Sequence, residues 1–386
     1  MLIVAIAALC LAIWAYLIGA RGGFWLASVR DDGRLPAPSV WPAVTAVIPA
    51  RDEADCIGTS VRSLLEQDYP GPFNIVVVDD DSSDGTGDVA REAGRAAPGG
   101  RSLTVVSGHS PPAGWTGKLW AVHQGVAAAE AAAEPAQFLL LTDADIAHAP
   151  DTLAWLVAKA RHDGTVLTSL MAKLRCESWA ERGHVPAFIF FFEMLYPFRW
   201  VAQPTARTAA AAGGCLLVEA QALRDIGGIE SLRNDLIDDC ALARRLKKRG
   251  PIWLGLTERV RSLRPYKRLE DVRRMVARSA YAQLRFSPLQ LAGTVAGMSL
   301  VFLAPPLLAL FADGAARWMG LAAWLAMALS YQPVLRFYRR APLWGPGLPI
   351  IALFYMIYTL DSAYQHARRR GGQWKGRVHV DAPSLQ

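Results

Sequence analysis

The sequence is poor in the features that mark several common protein classes. Its five cysteines, Cys10, Cys56, Cys176, Cys215 and Cys240, are odd in number and scattered, with no CxxC pair. That argues against a disulfide framework or a zinc site and fits reduced thiols in a cytosolic domain. No GxGxxG follows the first apolar strand, which disfavours a dinucleotide-dependent oxidoreductase. The formal charge is +7, yet no RNA- or DNA-binding signature accompanies it, so no nucleic-acid partner is expected. No Lys or Arg precedes the first long apolar run, Leu2 to Ala20, which therefore lacks the basic start of a cleaved signal peptide. There is no internal repeat, and no low-complexity tract beyond the alanine-rich stretch Ala127 to Ala136.

What the chain has in quantity is apolar sequence, 52% of 386 residues. Its arginines crowd beside apolar stretches (Arg336, Arg339, Arg340, Arg368, Arg369, Arg370), which points to an anionic membrane surface. The run Leu2 to Ala20 is long enough to span a bilayer, and Arg21, Arg30 and Arg34 behind it place the N-terminus outside and the following domain in the cytosol. Leu289 to Ala312, Trp318 to Val334 and Leu348 to Leu360, extendable to about Ala367, read as three further membrane segments. Four spans would put the tail outside, whereas Arg368 to Arg370, Lys375 and Arg377 ask for the cytosol. Pro305-Pro306 marks the first of the three as a re-entrant or interfacial candidate. Asp31 to Trp41, with Pro36 and Pro38, reads as a linker.

Between Val44 and about Gly255 short apolar runs alternate with helical spacing. Strands are expected at Thr45–Ile48, Asn74–Val78, Ser102–Val106, Phe138–Thr142 and Thr165–Leu170, with helices after Glu53, over Thr86–Gly94 and over Lys118–Ala133. This is the pattern of an α/β domain with a mostly parallel sheet, in which ligands bind at the carboxyl ends of strands.

Acidic clusters sit at those ends. Carboxylates are costly to gather unless something cationic or proton-hungry lies among them. Pro49-Ala50-Arg51-Asp52-Glu53 follows the first strand, where a turn could clamp a nucleobase or ribose; a charged loop with Asp52 or Asp55 as helix cap is the alternative. In Asp79-Asp80-Asp81-Ser82-Ser83-Asp84-Gly85-Thr86, Asp80 is placed to accept the N3 hydrogen of a uracil-type base, while Ser83, Asp84 and Thr86 suit turn and cap positions. Asp143-Ala144-Asp145 puts two carboxylates on one side of an extended chain, as joint binding of Mg²⁺ or Mn²⁺ on a diphosphate requires; an N-cap pair is the alternative. Asp238-Asp239 opens a helix that ends in Arg and Lys and stops at Gly250, so capping accounts for one Asp and a general base for the other, assigned to Asp239. Lys118, behind Gly114-Trp115-Thr116-Gly117, starts a helix where it could meet a phosphate, or simply be solvated. Gly213-Gly214 could let backbone approach a substrate closely, and His109, His123 and His148 are read as structural. Phe188 to Trp200 is aromatic and too short to span a bilayer; it reads as an interfacial helix admitting a lipid, or as a core helix.

These pieces resemble family 2 glycosyltransferases with the GT-A fold. They are Val47-Ile48-Pro49-Ala50-Arg51-Asp52-Glu53, Val78 to Thr86, Gly117-Lys118-Leu119-Trp120-Ala121, Asp143-Ala144-Asp145, Gly227-Gly228 and Asp238-Asp239, in the family's order over about residues 44 to 290. Gly114-Trp115-Thr116-Gly117-Lys118-Leu119-Trp120-Ala121, the C-terminal apolar segments and the tail Trp374-Lys375-Gly376-Arg377 resemble the membrane-bound enzymes associated with hopanoid biosynthesis and, more distantly, ceramide and carotenoid glycosyltransferases. The resemblance implies a Rossmann-like GT-A catalytic domain at 42–265, flanked by an N-terminal transmembrane helix (1–22), an interfacial amphipathic segment (266–288), C-terminal transmembrane segments (289–367) and a basic tail (368–386). It implies a nucleotide-sugar donor, expected to be UDP-linked, held by Pro49, Ala50, Asp52, Glu53, Asp80, Lys118 and Asp143. Asp145 would bind Mg²⁺ or Mn²⁺ and Asp239 would be the base. Asp238, Gln283 and Arg285 would face the diphosphate or acceptor. The sequence departs from the family twice: Gln283-Leu284-Arg285-Phe286 is a degenerate Q/R-x-x-R-W motif, and Asp81 replaces a glycine. The expectation is an inverting transfer of one sugar to a membrane lipid, such as a hopanoid, in the inner membrane of a cell. A processive polysaccharide synthase would want more spans and a clean motif, and a catalytically inactive nucleotide-binding scaffold would not need intact acidic clusters.

Overall fold

The computed structural model describes residues 1–96, 101–233, 235 and 237–368. Arg369, Arg370 and the tail motif Trp374 to Arg377 lie outside them. The chain divides into two compact units, and the described residues of the first are 1–28, 175–199 and 265–368, those of the second 29–174 and 200–264 apart from the omitted positions.

The second unit is built on an eight-stranded sheet in the order β3-β2-β1-β4-β7-β6-β8-β5. The strands are β1 (Val44–Ala50), β2 (Phe73–Asp79), β3 (Ser102–Ser107), β4 (Phe138–Leu141), β5 (Ile146–His148), β6 (Leu167–Lys173), β7 (Leu216–Glu219) and β8 (Ile252–Ser262). β1 and β4 are buried along their whole length, as strands covered on both faces must be, and both read as unbroken apolar runs apart from Thr45. The sheet is mixed, with parallel pairings in the majority. β3, β2, β1 and β4 run parallel, and β6 runs parallel to β8, but β7 is antiparallel to β4 and β6, and β5 to β8. The register Val47↔Leu141 and Leu141↔Leu216 therefore puts the carboxyl ends of β1 and β4 beside the amino end of β7. Pro49 lies past the last β1–β4 pair, so its missing N–H costs that ladder nothing.

Helices cover the sheet as their spacing requires. Ala54–Leu65 buries Ile57, Val61, Leu64 and Leu65 in the main core with Ile48, Ile75 and Leu140. Gly117–Glu130 packs so closely on the sheet that a Cβ at Gly125 would stand 2.4 Å from Val47 Cγ1 and 3.0 Å from Val78 Cγ2. The expected linker is pinned at its start: Asp31 is buried, accepts from Thr257 Oγ1 and pairs with Arg259 at 3.2 Å, because Arg30 bridges to Leu256 on β8.

The first unit is helical. Two of its helices, Leu2–Ala20 and Pro288–Phe311, are long and apolar enough to cross a membrane. The second runs unbroken through Pro305-Pro306. Pro305 has no N–H for the Val301 carbonyl, and a π-helical turn at Ser299–Leu303 absorbs the mismatch. Trp14 Nε1 donates to Val301 O at 2.8 Å and Cys10 Sγ to Leu300 O at 3.3 Å, so the freed carbonyls find partners on the N-terminal helix. Gly314–Ser330 stops at 17 residues, short of the ~20 that span a bilayer. Leu348–Ala367 reaches 20 residues but carries Asp361, which Arg273 meets from the amphipathic helix Leu269–Ala277. The aromatic segment Phe188 to Trp200 spans the end of Trp179–Leu195, a capped helix with Val185, Ile189 and Phe190 fully buried, and the short helix Phe198–Ala202; Phe190 packs on Tyr331 and Phe191 on Tyr355.

Candidate functional site

The carboxyl ends of β1, β2 and β4 converge on one edge of the sheet, and the loops that leave them are tied to one another. Asp52 Oδ1 accepts from Ser83 N at 2.8 Å, Asp52 N donates to Ser82 Oγ at 3.0 Å, Glu53 N to Thr86 Oγ1 at 2.8 Å and Ala54 N to Asp84 Oδ2 at 3.0 Å. Asp52 thus staples two loops, a structural duty that its sequence position did not reveal. Arg51 donates to the Asp80 and Asp81 carbonyls and pairs with the fully buried Asp80 carboxylate at 3.6 Å. Asp81 has φ +57°, the left-handed region that favours glycine, which is the physical reason for the glycine usual there.

The Asp143-Ala144-Asp145 segment is a turn, not an extended strand, and its two carboxylates meet different cations. Asp143 Oδ1 lies 2.8 Å from Lys118 Nζ, and Asp145 Oδ2 accepts from Arg264 Nε at 2.7 Å. Lys118 is delivered by the start of Gly117–Glu130, whose first turn is capped by Thr116 Oγ1. Its ammonium also stands 3.8 Å from Asp238 Oδ2, so one lysine joins the first and last acidic motifs. Arg264, just after β8, reaches Glu53 Oε1 with Nη2 at 2.5 Å while holding Asp145. Burial works against its charge, but Asp145 and then Glu53 hold the guanidinium above its ordinary range.

Asp239 differs from these acids. It stands at the start of the helix Asp238–Leu246, where Oδ2 accepts from Gly213 N at 3.0 Å and Oδ1 from Cys240 N at 2.6 Å. The antiparallel entry of β7 is what sets Gly213 beside the end of β4. Burial, then the neighbouring Asp238 carboxylate, pushes Asp239 from 3.8 up to about 6, against the opposing pull of the Cys240 N–H, Lys118 and the Gly213 N–H. Asp143, Lys118, Asp238 and Asp239 share a narrow cleft with Pro49, Thr142 and Gly213, backed by Leu119, Val122, Ile229, Leu232 and Leu242. His148 lies behind it, its Nε2 3.0 Å from Thr142 Oγ1, and burial lowers it to about 4, consistent with a neutral structural role.

Glu53 and Asp145 form an oxygen-only pair already arranged around a cation, a donor set suited to Mg²⁺ or Mn²⁺. Among the described residues no group of three or more His, Cys, Asp or Glu could hold a metal, so such an ion would take further ligands from its substrate. Ala50 ends β1 fully buried, and its carbonyl accepts from Asp80 N at 2.8 Å. Gln283 and Arg285 belong to the helical unit, where Gln283 donates to the Tyr196 hydroxyl and Arg285 is exposed with φ +51°.

Residues 42–282, more than half of the chain, match the model of the glycosyltransferase-like family 2. The chain belongs to that family. Its sheet unit is a GT-A-like α/β domain, and among solved structures this family 2 glycosyltransferase is similar to the mannosyltransferase PcManGT from Pyrobaculum calidifontis in complex with GDP-Man and Mn²⁺. Identity is 19% over 96% of this chain and 100% of that one, with a TM-score of 0.52. It is similar also to glucosyl-3-phosphoglycerate synthase from Mycobacterium tuberculosis in complex with Mg²⁺ and UDP (19%, 63% and 79% covered, TM-score 0.40) and to mannosyl-3-phosphoglycerate synthase from Rubrobacter xylanophilus (18%, 68% and 82%, TM-score 0.39). At these identities the likeness to PcManGT is one of fold. No curated protein matches the chain.

Proposed function

We propose that this family 2 glycosyltransferase moves one sugar, with inversion, from a nucleotide-diphosphate sugar to the hydroxyl of a membrane lipid such as a hopanoid or another isoprenoid. The observation that carries the reading is Asp239, a carboxyl raised to about 6 that borders a cleft shared with Lys118 and Asp143. A carboxylate with that proton affinity can take a proton from an acceptor hydroxyl near neutral pH and is wasted as a mere helix cap. In this scheme the acceptor oxygen attacks the anomeric carbon in line, its proton passes to Asp239, and the nucleoside diphosphate leaves. Asp80 accepts from the base, with Pro49, Ala50, Asp52 and Glu53 shaping the nucleoside floor. Asp143 orients the ribose or sugar, Lys118 meets the diphosphate as it departs, and Asp238 keeps Asp239 basic. Asp145, with Glu53, would hold Mg²⁺ or Mn²⁺, which supplies neutralisation of the departing diphosphate. Gln283 and Arg285 remain assigned to the diphosphate or acceptor by family resemblance.

The lipid acceptor is supported by the two helices able to cross a bilayer and by the large apolar side chains, Leu9, Leu289, Leu307, Leu310, Phe311 and Trp318, that the helical unit exposes. We place residues 1–22 and 289–367 in the membrane, 266–288 at its surface and the 42–265 domain in the cytosol. The test is nucleotide release by the full-length protein in detergent, offered UDP- and GDP-sugars, Mg²⁺ or Mn²⁺ and total membrane lipid. Metal-dependent release that needs both a donor sugar and lipid supports the proposal; release that is indifferent to lipid and unchanged in Asp239→Asn refutes it.

A further inference from the structure

Arg264 is a cation placed where the divalent ion of the preceding reading would sit, and its placement is built rather than incidental. β5 and β8 pair at Ile146↔Ser262, and Leu263 N donates to Asp145 O at 2.8 Å, which fixes the backbone of the 262–264 segment against the acidic turn. From there the guanidinium uses Nε on Asp145 and Nη2 on Glu53, residues 119 and 211 positions away. The two carboxylates are mostly covered, at 15% and 12% exposure, whereas the arginine side chain is 34% exposed and has room to withdraw.

A divalent ion binds carboxylate oxygens directly, at about 2.0–2.1 Å for Mg²⁺. At Asp145 Oδ2 and Glu53 Oε1 it would compete with the guanidinium for the same oxygens, which the arginine holds at 2.5–2.7 Å, and it would be repelled by the arginine's positive charge. The displaced guanidinium carries donors in a fork that matches phosphate oxygens. The diphosphate of a nucleotide sugar brings those oxygens together with two negative charges, so it provides both an additional ligand for the ion and a new partner for the arginine. We propose that Arg264 is a positioning residue that guards the metal site. In the donor-free protein it occupies the Glu53–Asp145 pair and opposes metal alone, and it is released to the diphosphate when metal and donor enter together. This rests on the metal reading at Asp145.

The test is binding of Mn²⁺ to the full-length protein in detergent, followed by electron paramagnetic resonance, with and without UDP or GDP. Wild type is expected to bind Mn²⁺ weakly alone and on the order of tenfold more tightly with nucleotide, a coupling of the usual size for linked sites. Arg264→Gln is expected to bind Mn²⁺ alone on the order of tenfold more tightly than wild type, with the gain from nucleotide reduced. Arg264→Lys, which keeps the charge but cannot bridge two carboxylates as a fork does, should fall between. Equal Mn²⁺ affinity in wild type and Arg264→Gln, lost in Asp145→Ala, overturns the guarding role while leaving the metal at Asp145. Absence of Mn²⁺ binding in every form, with nucleotide present, overturns both. Should the arginine variants fail to fold, the wild-type titration still decides: tight Mn²⁺ binding that nucleotide does not improve refutes the proposal.

Discussion

Asp239→Asn should make the protein more stable and inactive at the same time, and the size of the effect follows from its surroundings. Raising a carboxyl from 3.8 to about 6 disfavours its ionised form in the folded state by about 3 kcal/mol. Because the folded value lies above the unfolded one, the cost is absent below pH 3.8, grows as pH rises toward 6 and is full above it. Asparagine removes that cost but has one carbonyl oxygen for the two N–H groups, Gly213 and Cys240, that Asp239 accepts; losing one bond returns about 1–2 kcal/mol. The net expectation is a gain of about 1–2 kcal/mol at pH 7.5, or roughly 2–8 °C in melting temperature at 2–4 °C per kcal/mol. At pH 4 the gain should vanish or reverse. Turnover should fall on the order of a hundredfold or more, the usual worth of a general base. The assay pairs thermal unfolding at both pH values with nucleotide release at saturating donor. A stability difference from wild type that is the same at pH 7.5 and 4, or a variant that retains most of its turnover, would refute the assignment of Asp239 as a base held basic by burial.

The wild-type kcat/KM should rise with pH through an apparent value near 6, and Asp238→Asn should move that limb to lower pH, since Asp238 is the second cause of the elevation; a limb that does not move would separate it from Asp239. Lys118→Met should move the same limb upward, because the ammonium favours the Asp239 anion, and should weaken nucleotide binding by unbalancing Asp143; an unmoved pH profile contradicts the electrostatic link. Gly125→Val should cost about 1–3 kcal/mol or more, because its Cβ would lie 2.4 Å from Val47 Cγ1 in a packed layer; an unchanged melting temperature would mean that the helix can retreat from the sheet. Trp14→Phe should cost about 1–3 kcal/mol in detergent by leaving the Val301 carbonyl above Pro305 unsatisfied, and an unchanged melting temperature would mean that another donor fills the gap.

The parts of this molecule that sequence exposes are those where one short segment carries the whole signal. β1, β2 and β4 are contiguous apolar runs ending in acids, and the helices Ala54–Leu65 and Asp238–Leu246 announce themselves by spacing and by an acidic start with a glycine stop. β5 is three residues long, β7 is four, and β8 is broken by Gly255, Glu258, Arg259 and Arg261, so none offers a period long enough to read. Those strands give the sheet its antiparallel pairs and bring Gly213 to Asp239. Lys118 was legible as a helix-start cation but its partner was not, and Arg264 carried no local signal because its role depends on two carboxylates far away in the chain. Pro305-Pro306 leaves the helix unbroken for a reason equally distant in sequence: the defect it creates is repaired by Trp14 and Cys10, nearly three hundred residues earlier.

The most direct test of the central claim is the identity of the product. Full-length protein is incubated with membrane lipid, Mg²⁺ or Mn²⁺ and the donor that supports nucleotide release, and the organic phase is analysed by mass spectrometry. The account predicts a lipid heavier by one sugar, with anomeric configuration inverted relative to the donor and absent from the Asp239→Asn reaction. A sugar polymer in the aqueous phase, or release of nucleotide with no sugar on any lipid, would contradict it.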